Sequence, residues 1–423
     1  MTVATERSAE ARGRRVPRLV FLLGPAFVAA IAYVDPGNVA ANLTAGAQYG
    51  YLLVWVLVVA NLMAVLVQYL SAKLGIVTGR SLPQALGERL SRPARLAYWA
   101  QAELVAAATD LAEVIGGAIA LNLLFGVPLI LGGVITGLVS LLILAVQQRR
   151  GQRMFEAVIT GMLAVLTVGF CAGLFFAPPD AGGVLAGLVP RLDGADSLLL
   201  AASMLGATVM PHAIYLHSSL ARDRHRPLAG RPGGVPTARL LKATRIDVVC
   251  ALVLAGGVNI GMLLLAAANL PGRTGTDTIE GAHAAIGDAL GGGIAVLFAI
   301  GLLFSGLAST SVGAYAGAEI MAGLLQVRVS LLVRRLVTLV PAILLLATGL
   351  SPTWLLVLSQ VVLSFGIPFA MIPLVLLTRD RSLGEFRNGV PIQVAAWLVA
   401  AVIVALNVTL LYLTFFSGAE MTG

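Results

Sequence analysis

Two short polar interruptions in long apolar runs carry the residue types that could do chemistry. One is DPGN, Asp35 to Asn38, and the other is MPH, Met210 to His212. In the first, Pro36 removes a backbone donor and Gly37 permits unwound geometry, so a helix breaks there while Asp35 and Asn38 add oxygen ligands at the break. A carboxylate at membrane depth costs roughly 2.5 kcal/mol or more, so Asp35 reads as functional and not merely as a cap on the following half-helix. A carboxylate and an amide oxygen alone suit a hard cation such as Na⁺, Mg²⁺ or Ca²⁺. A thioether is a poor ligand for these and a good one for softer metals. Asp35, Asn38 and Met210 together therefore point to a divalent transition-metal ion, against the alternative that Met210 only fills a gap in the core.

Such breaks have meaning only inside membrane-spanning helices. The chain has 423 residues, 58% hydrophobic and 11% charged, with a mean hydropathy of +0.93; a soluble domain carries about 25% charged residues. Apolar runs of about 20 residues, the length that crosses the hydrocarbon layer, recur along it. Eleven spans are expected, at 18–46, 51–76, 95–121, 127–147, 154–177, 197–221, 244–269, 285–325, 335–350, 353–378 and 391–416. The eighth is too long for one straight helix, so part of it should re-enter or extend beyond the bilayer. They form one transmembrane domain, 18–416, between a cytoplasmic tail, 1–17, and an external tail, 417–423. Paired breaks in spans 1 and 6 are the mark of an inverted-repeat carrier with its site at the midplane, spans 1–5 against spans 6–10 and span 11 added.

Basic residues favour the cytoplasmic side of short loops. With the N-terminus inside, 26 of the 28 lysines and arginines fall on that side, only Arg191 and Arg273 outside. The net charge of +8 and pI near 10.0 are thus loop topology, with contact to anionic lipid, and not nucleic-acid binding. The first span is not followed by an A-x-A-like cleavage site and reads as retained. Cys171 and Cys250 lie in apolar spans and indicate neither a disulfide framework nor a metal site. No H-E-x-x-H motif occurs, which argues against an intramembrane metalloenzyme.

Span 3 holds Glu103, Asp110 and Glu113, and spacings of seven and three place them on one side of a helix. Acid chains of this kind are typical of intramembrane proton relays. The opposing basic residues are Arg334 and Arg335 at the start of span 9, unless these only mark the basic edge of the bilayer. His212 and His217 sit five residues apart in the second half of span 6; imidazole titrates near physiological pH and also binds metals. His217 reads as structural, and His225 and His283 lie near loops. Residues 222–243, rich in Arg, Pro and Gly, read as a flexible linker.

DPGN with MPH, together with TDLAEVIGGAIAL at 109–121, VMPHAIYLHS at 209–218 and LSQVVLSFGIPFAMIPL at 358–374, resembles the Nramp family of proton-coupled divalent metal transporters, in a bacterial form. The resemblance implies an all-α, LeuT-like inverted repeat that imports Mn²⁺ or Fe²⁺, with Cd²⁺ and Co²⁺ accepted, by alternating access coupled to protons. No cofactor and no enzymatic activity are implied. The metal is expected on Asp35, Asn38 and Met210, with the carbonyls of Ala32 and Ala207 serving in alternate conformations, Gln360 joining when the site closes and Asn259 helping nearby. A salt-bridge network between spans 3 and 9 would hold Asp110, Glu113 and one or both arginines. His212 is kept off the metal and assigned to the proton pathway with Asp35, Glu103, Asp110, Glu113, Arg334 and Arg335. The chain departs from the family pattern at Ala318, where glutamine is usual, and at Glu319, which reads either as a vestibule contact or as a residue at the helix end. The resemblance places the protein in a bacterial plasma membrane, working as a monomer, with metals, protons and the bilayer as partners. The alternative is a carrier of the same fold for Mg²⁺ or an organic solute; a thioether facing the site argues against both.

Overall fold

The computed structural model describes residues 19–229, 234–273, 275–276, 278–327 and 329–416; the tails expected at 1–17 and 417–423 lie outside the described residues. Among the described residues the chain is helical, without strands. Among the described residues nine helices are long and apolar enough to cross a membrane. They supply span 2 (Val54–Thr78), span 3 (Arg92–Phe125), span 4 (Leu129–Arg150), span 5 (Gln152–Phe175), span 6 (Gly194–Leu228), span 7 (Thr237–Asn269), span 8 (Gly292–Leu324), span 10 (Pro352–Leu377) and span 11 (Val390–Tyr412). Span 9 is the shorter helix Leu331–Ala347. Span 1 is two pieces, Pro25–Val34 and Pro36–Tyr49.

Both expected breaks are present. Asp35 is extended, with φ −76° and ψ 166°, between the two halves of span 1. Span 6 divides into the α-helices Gly194–Thr208 and Pro211–Ala229, because Pro211 has no N–H to continue the first of them. The long apolar run 285–325 is divided: Gly291, at φ +93°, separates a short helix, Ile279–Leu290, from span 8. One expectation is corrected. The stretch 222–243 is not mainly linker, since span 6 stays helical to Ala229 and span 7 begins at Thr237. A further short helix, Leu82–Arg89, joins spans 2 and 3 where only a charged loop was expected.

Span 8 lies along spans 3 and 5, span 7 along spans 1 and 2, the second half of span 6 along span 2, and span 10 along span 3. The two broken helices are therefore enclosed by unbroken ones. Lipid is as apolar as a leucine side chain, so such packing relies on small residues that let backbones approach. Span 8 accordingly reads SGLASTSVGAYAGA from Ser305 to Ala318. In span 3 Gly116 faces the ring of Pro36, and any Cβ there would collide with it. Span 3 thus seats the break of span 1.

Gly116→Leu should overpack this contact and cost about 1–3 kcal/mol, seen as a lower midpoint of thermal unfolding in detergent. Gly161→Ala in span 5, where a Cβ meets nothing within 4 Å, should leave the midpoint unchanged or slightly higher.

Candidate metal centre

A helix broken inside a membrane frees backbone groups that need partners. At the span 1 break they are supplied from spans 7 and 8: Asn259 Nδ2 donates to the Tyr33 carbonyl at 2.7 Å, and Ser305 Oγ donates to the Val34 carbonyl at 2.5 Å. Asn42 Nδ2 holds Asn259 in turn, donating to its Oδ1 at 3.0 Å. Asp35 caps the second half-helix, its Oδ1 accepting from the Asn38 backbone N–H at 2.9 Å and from Asn38 Nδ2 at 2.6 Å. The capping reading of Asp35 is therefore correct for one oxygen. Its other oxygen, Oδ2, is buried without a hydrogen-bond partner.

Asn38 connects the two breaks. Its Nδ2 also donates to the Ala207 carbonyl at 3.0 Å, in the last turn of the first half of span 6. Since Nδ2 serves both Asp35 and Ala207, Oδ1 is left facing the site unpartnered. Gln360 of span 10 stands over Gly37: a Cβ at Gly37 would strike the Gln360 amide and come within 3.2 Å of Asp35 Oδ2. Neither Gln360 amide atom has a partner. Met210 is fully buried in the same packed core as Ala32, Tyr33 and Val34.

The structure thus joins Asp35, Asn38 and Ala207 by hydrogen bonds, with Gln360 against Gly37 and Met210 at the facing break. Ala32 is buried one turn before Asp35, and Asn259 touches the unwound backbone, not the Asp35–Asn38 pair. Leaving a buried polar atom unpaired costs about 1–3 kcal/mol. Asp35 Oδ2, Asn38 Oδ1 and the Gln360 amide are three such groups at the span 1 break, an arrangement suited to a ligand that uses them as donors. Among the described residues no cluster of three His, Cys, Asp or Glu exists. One carboxylate with neutral oxygens and a thioether is a donor set unlike the Cys and His sets of structural metal sites.

Spans 3 and 9 form a second polar layer. Arg335, fully buried, donates to Asp110 Oδ1 at 2.6 Å and to Ser140 Oγ of span 4 at 2.7 Å, while Thr310 of span 8 donates to Asp110 at 3.1 Å. Arg334 forks onto both oxygens of Glu103 at 2.8 and 2.9 Å; Gly317 makes room for it, since a Cβ there would collide with the guanidinium. Neither arginine merely marks the membrane edge. Glu113 is fully buried within electrostatic reach of Asp35, Asp110 and Arg335, but both its oxygens lack a hydrogen-bond partner. Both ring nitrogens of His212 are likewise unpartnered.

His217 is tied to the break through Gln68, its Nδ1 2.8 Å from Gln68 Oε1, while Gln68 Nε2 donates to the Tyr33 hydroxyl at 2.7 Å. His225, in the last turns of span 6, is buried against the carbonyls of Ala221 and Leu22, at 3.0 and 3.1 Å. Glu319 lies more than a turn inside span 8 and pairs with Arg222 at 3.4 Å, with Arg222 also held by Asp223 and Gln84. Sequence reasoning missed Ser305, Thr310, Asn42, Gln68 and Ser140. Their only signal was a small polar residue in an apolar run, which side chains bonding back to their own helix produce equally well.

The sequence matches the Nramp family, natural resistance-associated macrophage protein-like, over residues 26–413. It is 63% identical over 396 residues to "Divalent metal cation transporter MntH" of Mycobacterium tuberculosis strain H37Rv, a match covering 93% of this chain and 92% of the relative. The crystal structure of the Eremococcus coleocola manganese transporter, in complex with an aromatic bis-isothiourea substituted compound, superposes with a TM-score of 0.85 at 31% identity, over 96% of this chain and 90% of that one. MhsT in complex with L-phenylalanine shares the fold alone, with a TM-score of 0.62 at 14% identity over 92% of this chain and 98% of MhsT.

Asp110→Leu strands a buried guanidinium and should destabilise the protein by about 3–5 kcal/mol, whereas Asp110→Leu with Arg335→Met should recover most of the loss. Thermal unfolding in detergent checks both, and a single variant as stable as the wild type would contradict the pairing.

Proposed function

The chain belongs to the Nramp family, transporters and not enzymes, and from that premise we propose that it imports divalent transition-metal ions, Mn²⁺ and Fe²⁺ foremost with Cd²⁺ and Co²⁺ accepted, together with protons. The observation that carries the reading is the group of unpaired donors where the two broken helices meet, Asp35 Oδ2, Asn38 Oδ1 and the Gln360 amide, with Met210 buried at the second break. The second half of span 1 points its N-terminus at this place and the first half of span 6 brings the Ala207 carbonyl to it. Positive and negative helix ends thus converge on one point, as in carriers built on discontinuous helices.

In this reading the ion exchanges most of its water for Asp35, Asn38 and Met210. The Ala32 and Ala207 carbonyls join in alternate conformations, and Gln360 closes the site from span 10. Hard oxygen donors alone would admit Ca²⁺ and Mg²⁺; the thioether discriminates against them. Asp35 must be ionised to bind, so its protonation weakens the site and couples metal release to proton entry. Glu113 stands between Asp35 and Asp110 as the next proton carrier. Glu103, Asp110, Arg334 and Arg335 continue the path across spans 3 and 9, and the imidazole of His212 serves it from span 6. The membrane potential favours inward movement of each positive charge by about 2.3 kcal/mol per 100 mV. The face holding most of the basic residues is cytoplasmic, the membrane is a bacterial plasma membrane, and one chain suffices.

Purified protein in proteoliposomes should take up Mn²⁺ faster with acid outside than without a gradient, and wild-type uptake should survive excess Ca²⁺. In Met210→Ala, Ca²⁺ should compete. Absence of Mn²⁺ uptake, or equal inhibition of both proteins by Ca²⁺, would refute the assignment. In Asp110→Asn, Mn²⁺ binding should persist while the stimulation by the gradient shrinks several-fold; full stimulation would remove Asp110 from the proton path.

A further inference from the structure

The loop between spans 10 and 11 and the start of span 11 enclose a cavity of about 730 Å³ that has no part in the ion site. Arg379 and Arg387 line its polar end, and both are exposed and, among the described residues, form no ion pair. Asn388 forms the floor, and behind it lies the buried Lys73, whose Nζ donates to Asn388 Oδ1 at 2.9 Å. Among the described residues no carboxylate pairs with Lys73. Glu385 is the one acid on the rim. Asp380 is already engaged, accepting from the Ser382 N–H at 2.8 Å and pairing with Arg89 at 2.8 Å.

The opposite wall is apolar and leads down the membrane-spanning helix. Val390, Val394, Trp397 and Leu398 are exposed by 74, 59, 39 and 63%, and their spacing puts them on one face of span 11. A cationic cup joined to an apolar track, with a tryptophan where they meet, matches an amphiphile whose anionic head and acyl chain lie across the membrane interface. A free phosphate would use the cup and leave the track empty.

We propose that this cavity is a binding site for an anionic phospholipid, with the headgroup phosphate on Arg379 and Arg387 and an acyl chain along Val394, Trp397 and Leu398. It lies on the face where most of the basic residues gather, the face on which anionic lipid sites are expected. Lipid binding there would brace span 11 against span 10, to which Asn388 and Gln393 already tie it through Thr378 and Val375.

The test is native mass spectrometry of the detergent-purified full chain titrated with phosphatidylglycerol, phosphatidylcholine or inorganic phosphate. Wild type should retain one phosphatidylglycerol that phosphatidylcholine does not replace and excess phosphate does not displace. Arg379→Gln with Arg387→Gln should weaken that binding at least about tenfold; the control Arg149→Gln with Arg150→Gln, exposed arginines at the end of span 4, should not. Val394→Trp, which fills the cavity without changing charge, should weaken it too, and near-wild-type unfolding midpoints would show that the variants fold. Equal weakening by both arginine pairs would mean diffuse attraction to a basic face. Displacement by phosphate would mean a simple anion site, and no retained phosphatidylglycerol would mean no site; each overturns the proposal.

Discussion

A helix interrupted inside a membrane leaves backbone carbonyls and amides with no water to satisfy them, and the rest of this structure is arranged around that constraint. Spans 7 and 8 contribute Asn259 and Ser305 to the stranded carbonyls of Tyr33 and Val34. Asp35 divides its carboxylate, one oxygen capping the helix that resumes at Pro36 and the other left for the site. Because Asn38 bonds both to Asp35 and to the carbonyl of Ala207, the two breaks are held in register, and a change in one reaches the other directly. The residues that maintain the breaks thus also leave oxygen atoms buried there without a hydrogen-bond partner.

Beside the two breaks stands a layer of buried ion pairs. Removing two ions from water is expensive, and the attraction between them offsets that cost only when geometry and additional hydrogen bonds are good. Arg335 meets the condition with Asp110 and Ser140, and Arg334 with both oxygens of Glu103. Glu113 is the exception, buried on the same side of span 3 with neither oxygen bonded.

Much of this was legible in the residues. A proline, a glycine and a carboxylate have few ways to coexist in an apolar run, so the break at Asp35 and its partner at Met210 followed from covalent chemistry. The alignment of Glu103, Asp110 and Glu113 followed from helical periodicity. What stayed hidden depends on long-range packing. Gln360 reaches the site from 150 residues beyond Met210, and only the absence of a Cβ at Gly37 lets it stand there. Ser305, Thr310 and Ser140 are indistinguishable in sequence from hydroxyls that bond within their own turn. The length of the eighth apolar run showed that it could not be one straight span, but not where it divides, which is at the glycine turn of Gly291.

The claim on which the account rests is that oxygen donors of span 1 and the sulfur of Met210 bind one ion together. X-ray absorption at the cadmium edge, on purified protein loaded with one equivalent of Cd²⁺, tests it most directly. The account predicts a shell of oxygens with a single sulfur, and loss of that sulfur in Met210→Ala while oxygen scattering remains. An all-oxygen shell in the wild type, or a sulfur that persists in the variant, would contradict it.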